Sequence, residues 1–185
     1  SDTNGAAAVE FAFIAPLLIT MYLGTMEISQ GIEINKKVGR SASLIADIVA
    51  QNTEMTISEI EDVIKIGAAV LQPYNRDIPT ITVSGISIDA DGDATVVWSR
   101  KGTEGGYSAG DVPGSATVVP ANLNINDTFL VKVETSLEYL PITSWSIEKN
   151  KSGSGGAYAS VPMKETYYLR PRQGDDVMCT DCPTS

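Results

Sequence analysis

The segment of residues 6–26, AAAVEFAFIAPLLITMYLGTM, constrains the fold more than any other part of the chain. Glu10 is its only charged residue. At about 1.5 Å per residue, a helix of this length spans roughly 32 Å, which is close to the thickness of the hydrocarbon core of a bilayer. The segment therefore predicts a membrane-spanning helix.

Two residues in this segment are unusual for such a helix. A lone carboxylate such as that of Glu10 is costly to bury unless it meets a cation or water, or becomes protonated. It either lies at the membrane interface near the helix start, where the helix dipole favours an anion, or pairs with a positive charge from another copy of the chain. Pro16 removes one helical hydrogen bond and predicts a kink or a local loosening.

The helical pattern continues beyond residue 26. Few turn signals interrupt it before Gln51, so we predict a single helix of about 45 residues. Its apolar residues recur along roughly one stripe, which comprises Ile28, Ile32, Val38, Ile45, Ile48 and Val49. Gly24, Gly31 and Gly39 either allow close helix approach or mark a part of the helix that melts.

Residues 57–71 predict a second, amphipathic helix. Ser58 and Glu61 have the spacing of a capping box, with Ser58 as the N-cap and Glu61 at the third helical position. The dipeptide Gln72-Pro73 is expected to end this helix, because the residue before a proline avoids the helical conformation.

A hairpin is predicted next, with strands at residues 81–88 and 94–98 and an Asp-Gly turn between them. Gly85 interrupts the alternation and predicts a bulge. The turn acids Asp89, Asp91 and Asp93 also raise the possibility of calcium. Here glycine occupies the fourth position of the loop instead of the sixth, and the required glutamate is missing, so an ordinary solvated turn is favoured.

Further strands follow after a long loop. Residues 102–127 predict a loop with one edge strand at Thr117–Val119. Phe129–Leu140 predicts a strand that Pro141 ends, residues 142–159 predict a flexible excursion, and Thr166–Arg170 predicts the last strand.

The predicted elements make an α+β fold, with a long helix, a short helix and an antiparallel sheet of four or five strands. We expect residues 1–52 to form a membrane or filament-core helix. Residues 53–185 are then a soluble α+β domain with a C-terminal tail.

Composition narrows the classes of function. The chain has 13 basic and 23 acidic residues and no histidine. The acidic balance argues against a nucleic-acid partner, and the lack of histidine removes the Ser-His-Asp and Cys-His nucleophile pairs. We expect no enzymatic activity and no cofactor. Five aromatic residues are expected in the core or at its rim, with a binding surface as the alternative; they are Trp98, Trp145, Tyr158, Tyr167 and Tyr168.

Cys179 and Cys182 are the only cysteines. A redox Cys-x-x-Cys motif opens a helix, whereas Pro183-Thr184-Ser185 follow here, and zinc would require four ligands. We predict a small disulfide loop in an oxidising compartment, with free or intermolecular thiols as the alternative. No metal site is expected.

The amino-terminal residues resemble those of a known family. Gly5-Ala6-Ala7-Ala8-Val9-Glu10-Phe11 and the following Ile14-Ala15-Pro16-Leu17-Leu18 are similar to the start of TadE/TadG-like proteins, the pseudopilins (minor pilins) of tight-adherence (Tad, Flp-type) pili. Weaker collinear similarities extend to Thr166–Arg172 near the other end of the chain.

The resemblance implies processing and assembly. A prepilin peptidase is expected to cut after Gly5, which makes Ala6 the first residue and Glu10 the fifth. Because the chain includes residues 1–5, the alternative is an amino terminus set upstream of Ser1, with Glu10 as the tenth residue. Gly5, Ala6, Glu10, Phe11 and Pro16 are the residues expected to act in processing and assembly.

The implied function is that of a pilin-like subunit, which is anchored in the inner membrane with its soluble domain in the periplasm and then packed into an extracellular pilus. Its expected partners are other pilin or pseudopilin subunits. A minor subunit that initiates the fibre or lies at its tip, with a contribution to surface adhesion, is the first expectation. The alternatives are the principal repeating subunit of an extracellular filament and an adhesive binding module on a membrane anchor.

Overall fold

The computed structural model describes residues 3–74, 77–141 and 160–183. The elements follow the predicted order of a long helix, a short helix and then a sheet, which confirms the α+β class. They are α1 (Thr3–Ala50), β1 (Glu54–Met55), α2 (Ile57–Ala69), β2 (Thr80–Ile88), β3 (Ala94–Thr103), β4 (Gly106–Ala109), β5 (Thr128–Tyr139), β6 (Val161–Leu169) and β7 (Met178–Cys179).

Helix α1 is continuous over 48 residues and includes Pro16, which confirms the prediction of one long helix. Its second half is buried on one side, at the three- and four-residue spacing of a helix face, through Ile34, Val38, Ala42, Ile45 and Val49. The predicted stripe was wrong at its start. Ile28 and Ile32 are 66% and 53% exposed, because they lie on a side of α1 that does not meet the sheet.

Helix α2 starts at Ile57, as predicted, but its N-cap lies two residues before the predicted one. Thr56 is the N-cap, its hydroxyl accepts from the Glu59 amide, and the Glu59 carboxylate accepts from the Thr56 amide. The prediction of Ser58 and Glu61 as the capping box was therefore wrong. Glu61 instead receives hydrogen bonds from the Arg100 guanidinium on β3, at 3.0 and 2.5 Å.

Five antiparallel strands form the main sheet, in the order β4-β3-β2-β5-β6. The β2–β3 hairpin and the bulge are confirmed. The register shifts between Gly85 and Ile86, so that Val97 is the extra residue on β3. An ideal Cβ on Gly85 would lie 2.5 Å from Nε1 of Trp98 and 2.6 Å from Cζ of Phe129, which explains why this position carries no side chain.

Two strand predictions need correction. Thr117–Val119 is not a strand. Strand β4 forms that edge of the sheet, and the loop after it runs beside β3, with the bridge Thr95–Ala116 and several backbone hydrogen bonds. Val119 packs instead against the apolar cluster on the outer face of the sheet. Strand β6 starts at Val161, earlier than the predicted Thr166, because it pairs with β5 along its whole length. The predicted excursion at 142–159 lies outside the described residues.

The main core lies between the two helices and the inner face of the sheet. Trp98 is 2% exposed there and packs with residues of both helices, such as Ile45 and Ile60. Tyr167 is 43% exposed, and Trp145 and Tyr158 are outside the described residues. The division at residues 52 and 53 remains a proposal. Since α1 is part of this core from Ile34 onward, any soluble fragment should retain the second half of the helix.

Candidate functional site

The first half of α1 presents an apolar surface on all sides. Its large apolar side chains are between about 40% and 80% exposed, and they include Phe13 at 78% and Leu18 at 58%. Successive residues of a helix point in different directions, so exposure of Leu17, Leu18 and Ile19 alike means that no side of this part is covered. Among the described residues, α1 is the one helix long and apolar enough to cross a membrane.

Two threonine hydroxyls within this half bond to the helix itself. The Thr20 hydroxyl donates to the carbonyl oxygen of Pro16, and the Thr25 hydroxyl donates to that of Met21, each at 2.8 Å. A hydroxyl that bonds back to a carbonyl four residues earlier needs no water. These residues therefore suit an environment of lipid or of packed helices.

Gly5, Ala6, Glu10, Phe11 and Pro16 all lie on this exposed half of α1. Glu10 and Phe11 are exposed, and a Cβ on Gly5 would meet nothing within 4 Å. Within the part of the chain that the structure describes, the Glu10 carboxylate has no ion-pair or hydrogen-bond partner. The first basic residue of the sequence is Lys36, which is roughly 39 Å farther along a helix. No basic residue of α1 can therefore pair with Glu10.

Helix α1 meets the globular part at a small aromatic cluster. The Tyr139 hydroxyl donates to the Glu27 carboxylate at 2.6 Å, and the Tyr139 ring stacks on Tyr74 at a centroid distance of 5.7 Å. Gly31 lies one turn later, where an added Cβ would be 3.8 Å from Cε1 of Tyr139. Sequence analysis missed this cluster, because Glu27 and Tyr139 are 112 residues apart and neither carries a local signal.

The structure joins Cys179 and Cys182 in a disulfide, as the spacing predicts. Their sulfur atoms and a carboxylate oxygen of Asp181 all lie within 4.8 Å of one another. Sulfur atoms that are bonded to each other are not thiolate ligands, so this group is not a metal site in its oxidised form.

The Asp89–Asp93 turn is held by its own hydrogen bonds. Oδ1 of Asp89 accepts from the amides of Asp91 and Asp93, at 3.0 and 2.8 Å. The side-chain amides of Asn124 and Asn126 donate to the carbonyl oxygens of Gly92 and Ala90. Within the described ranges, these acids form no group that could hold a metal, which favours the ordinary turn.

Lys65 and Tyr168 have shifted pKa values, and neither residue belongs to α1. A hydrogen bond from Lys65 to Asp62 raises the pKa of the ammonium group. Partial burial raises the pKa of the Tyr168 hydroxyl. Neither group takes part in the apolar surface.

These features define a class of protein in which an apolar helix extends from an α+β domain and shares its core. Residues 5–35 match the family model of TadE-like proteins, which confirms the resemblance for this segment. The match ends close to Ile34, where α1 becomes buried. No curated protein and no solved structure matches the chain significantly.

Proposed function

We propose that the chain is a pilin-like subunit of a Tad-type pilus, anchored in the membrane before assembly and packed through α1 in the fibre. The exposed apolar half of α1 carries this proposal. Such a surface is stable in lipid or among other helices but costly in water, at about 25 cal/mol per Å² of apolar area. The match of residues 5–35 to the TadE-like family supports association with a Tad pilus.

Assembly on this account exchanges one apolar environment for another. Lipid surrounds the helix before assembly, and helices of neighbouring subunits surround it afterwards. A helix that is apolar on all sides is suited to burial among several neighbours, whereas a single partner would cover one stripe. The uncovered sides of α1 therefore favour a bundle of subunits over a simple dimer.

The proposed route places the globular part in the periplasm while α1 lies in the inner membrane, and then on the extracellular fibre. Other pilin or pseudopilin subunits are the proposed partners, and a prepilin peptidase is proposed to cut after Gly5. Mass spectrometry of the native amino-terminal peptide tests the last step. A peptide that starts at Ala6 supports cleavage, and one that starts at or before Ser1 contradicts it.

We further propose a minor role, as an initiating or tip subunit that contributes to surface adhesion. The test is the composition of fibres sheared from cells that make the complete pilus machinery. A few copies of this chain per fibre support the minor role, and a majority share indicates the principal repeating subunit. If the protein stays wholly in the membrane fraction while fibres form, the pilin function is contradicted.

Ile28 and Ile32 give a more specific prediction about packing. On the proposed anchoring, a membrane span that begins at residue 8 covers roughly 28 Å by residue 26, which puts these two exposed side chains at or beyond the edge of the hydrocarbon core. We expect that I28S together with I32S lowers incorporation into fibres several-fold, because a neighbouring subunit no longer buries apolar area there. Membrane insertion should be unchanged.

The comparison uses quantitative blots of sheared fibres and of membranes from the same cells. N35A, on an exposed position of the same helix, is the matched control. Wild-type incorporation of the double variant would mean that this part of α1 contacts no subunit.

A further inference from the structure

The C-terminal strap, residues 172–183, ties the end of α1 to the sheet. The Arg172 amide donates to the carbonyl oxygen of Ala50 at 2.7 Å, and its guanidinium lies 2.5 Å from the carboxylate of Asp47. Farther along, Val177 is fully buried, and its carbonyl oxygen accepts from Nε1 of Trp98 at 2.7 Å. The strap therefore connects the last turns of α1 with the core of the domain.

The same strap also holds the short connection between the two helices. Strand β7 runs parallel to β1, and this pairing was not predicted from the sequence. The Met178 amide donates to the carbonyl oxygen of Thr53, and the Thr180 amide donates to that of Met55, both at 3.0 Å. The connection between α1 and α2, which we call the α1–α2 corner, is thus held by residues that are distant from it in sequence.

Asp181 completes the start of α2. The first amides of a helix have no partner within the helix. The capping box satisfies the amides of Thr56 and Glu59, and Oδ1 of Asp181 accepts from the Ile57 amide at 2.7 Å. A carboxylate at this position is also favoured by the helix dipole.

We propose that the Cys179–Cys182 disulfide is a redox-sensitive clasp, which holds Asp181 against the start of α2 and so keeps the α1–α2 corner closed. The disulfide closes a ring of four residues that contains Asp181, so it limits the conformations of that side chain. Both cysteines are only partly buried, so a small dithiol can reach them. The proposal does not depend on the pilus function.

The chemical step is thiol–disulfide exchange. A dithiol reductant supplies two electrons and two protons, the bond between the two sulfur atoms breaks, and Cys179 and Cys182 become thiols. The reductant becomes a disulfide in turn. Reduction then frees the ring, and the Asp181 carboxylate leaves the Ile57 amide for part of the time. Because disulfides persist in oxidising compartments, the corner is fully closed only there.

Hydrogen exchange of the full-length protein in detergent tests the proposal. We expect dithiothreitol to speed the exchange of the Ile57 amide on the order of tenfold, the change that follows from loss of a hydrogen bond to a charged group. Unfolding should also occur a few degrees lower. Alkylation and mass spectrometry verify that both thiols have formed.

Variants separate the clasp from a general effect of the disulfide. D181A should show fast exchange at Ile57 without reductant and little further change with it, and D181N, which keeps an acceptor oxygen, should lie between D181A and the wild type. T180A alters the same ring without removing the acceptor and should respond as the wild type does. An unchanged Ile57 amide in the fully reduced wild type overturns the proposal, as does an equal response in wild type and D181A.

Discussion

Replacement of Glu10 by alanine is expected to abolish incorporation of the chain into fibres, with membrane insertion unchanged. The structure leaves this carboxylate exposed on an apolar helix, with no ion-pair or hydrogen-bond partner in the described part of its own chain. On the proposed assembly its partner in the helix bundle is a positive group of a neighbouring subunit, and loss of one member of a buried ion pair costs about 3–5 kcal/mol. This cost corresponds to a decrease in affinity of a hundredfold or more.

Membrane and fibre fractions of the same cells give the measurement, with E10Q as the variant that keeps size but removes charge. Both variants should insert at least as well as the wild type, since a charge on a membrane helix opposes insertion. The matched control is E33A, which removes an exposed acid of α1 whose carboxylate pairs with Lys37 at 3.3 Å. If E10A and E33A enter fibres equally well, Glu10 lies at the membrane interface and takes no part in assembly.

The overall fold was predictable because its main signals are local. The length of α1, the β2–β3 hairpin and the bulge at Gly85 all follow from periodicity and turn residues close together in the sequence. The capping box of α2 was misplaced because Thr56 and Ser58 both have a glutamate three residues later. The structure selects Thr56, where the connection from α1 enters the helix.

The candidate site was predictable where it depends on composition and not where it depends on distant contacts. The apolar surface and Glu10 are evident in the sequence itself. The direction of Ile28 and Ile32 was not, because it depends on which side of α1 the sheet covers. The contacts of Tyr139 with Glu27 and of Asp181 with Ile57 join residues more than 100 positions apart. Patterns within a single sequence carry no signal for contacts between residues so far apart.

Replacement of Gly85 by alanine is expected to destabilise the domain by about 1–3 kcal/mol or more, the usual effect of an added group in a packed core. Its Cβ would overlap two rigid aromatic rings, those of Trp98 and Phe129. A shift of the Trp98 indole would also weaken its hydrogen bond to the carbonyl oxygen of Val177. Thermal unfolding of the full-length protein in detergent should show a decrease of roughly 2–4 °C for each kcal/mol.

Gly105, at the β3–β4 turn of the same sheet, provides the matched control. Its backbone does not need a positive φ, and an added Cβ would meet nothing nearer than Oγ1 of Thr103 at 3.9 Å. G105A should therefore unfold at the temperature of the wild type or slightly higher, because alanine reduces the entropy of the unfolded chain. Equal stability of G85A and G105A would contradict the close packing of Trp98 over the bulge. Hydrogen exchange at the amides of Met178 and Thr180 gives a second measurement. A displaced Trp98 indole should speed exchange in the C-terminal strap of G85A and not in that of G105A.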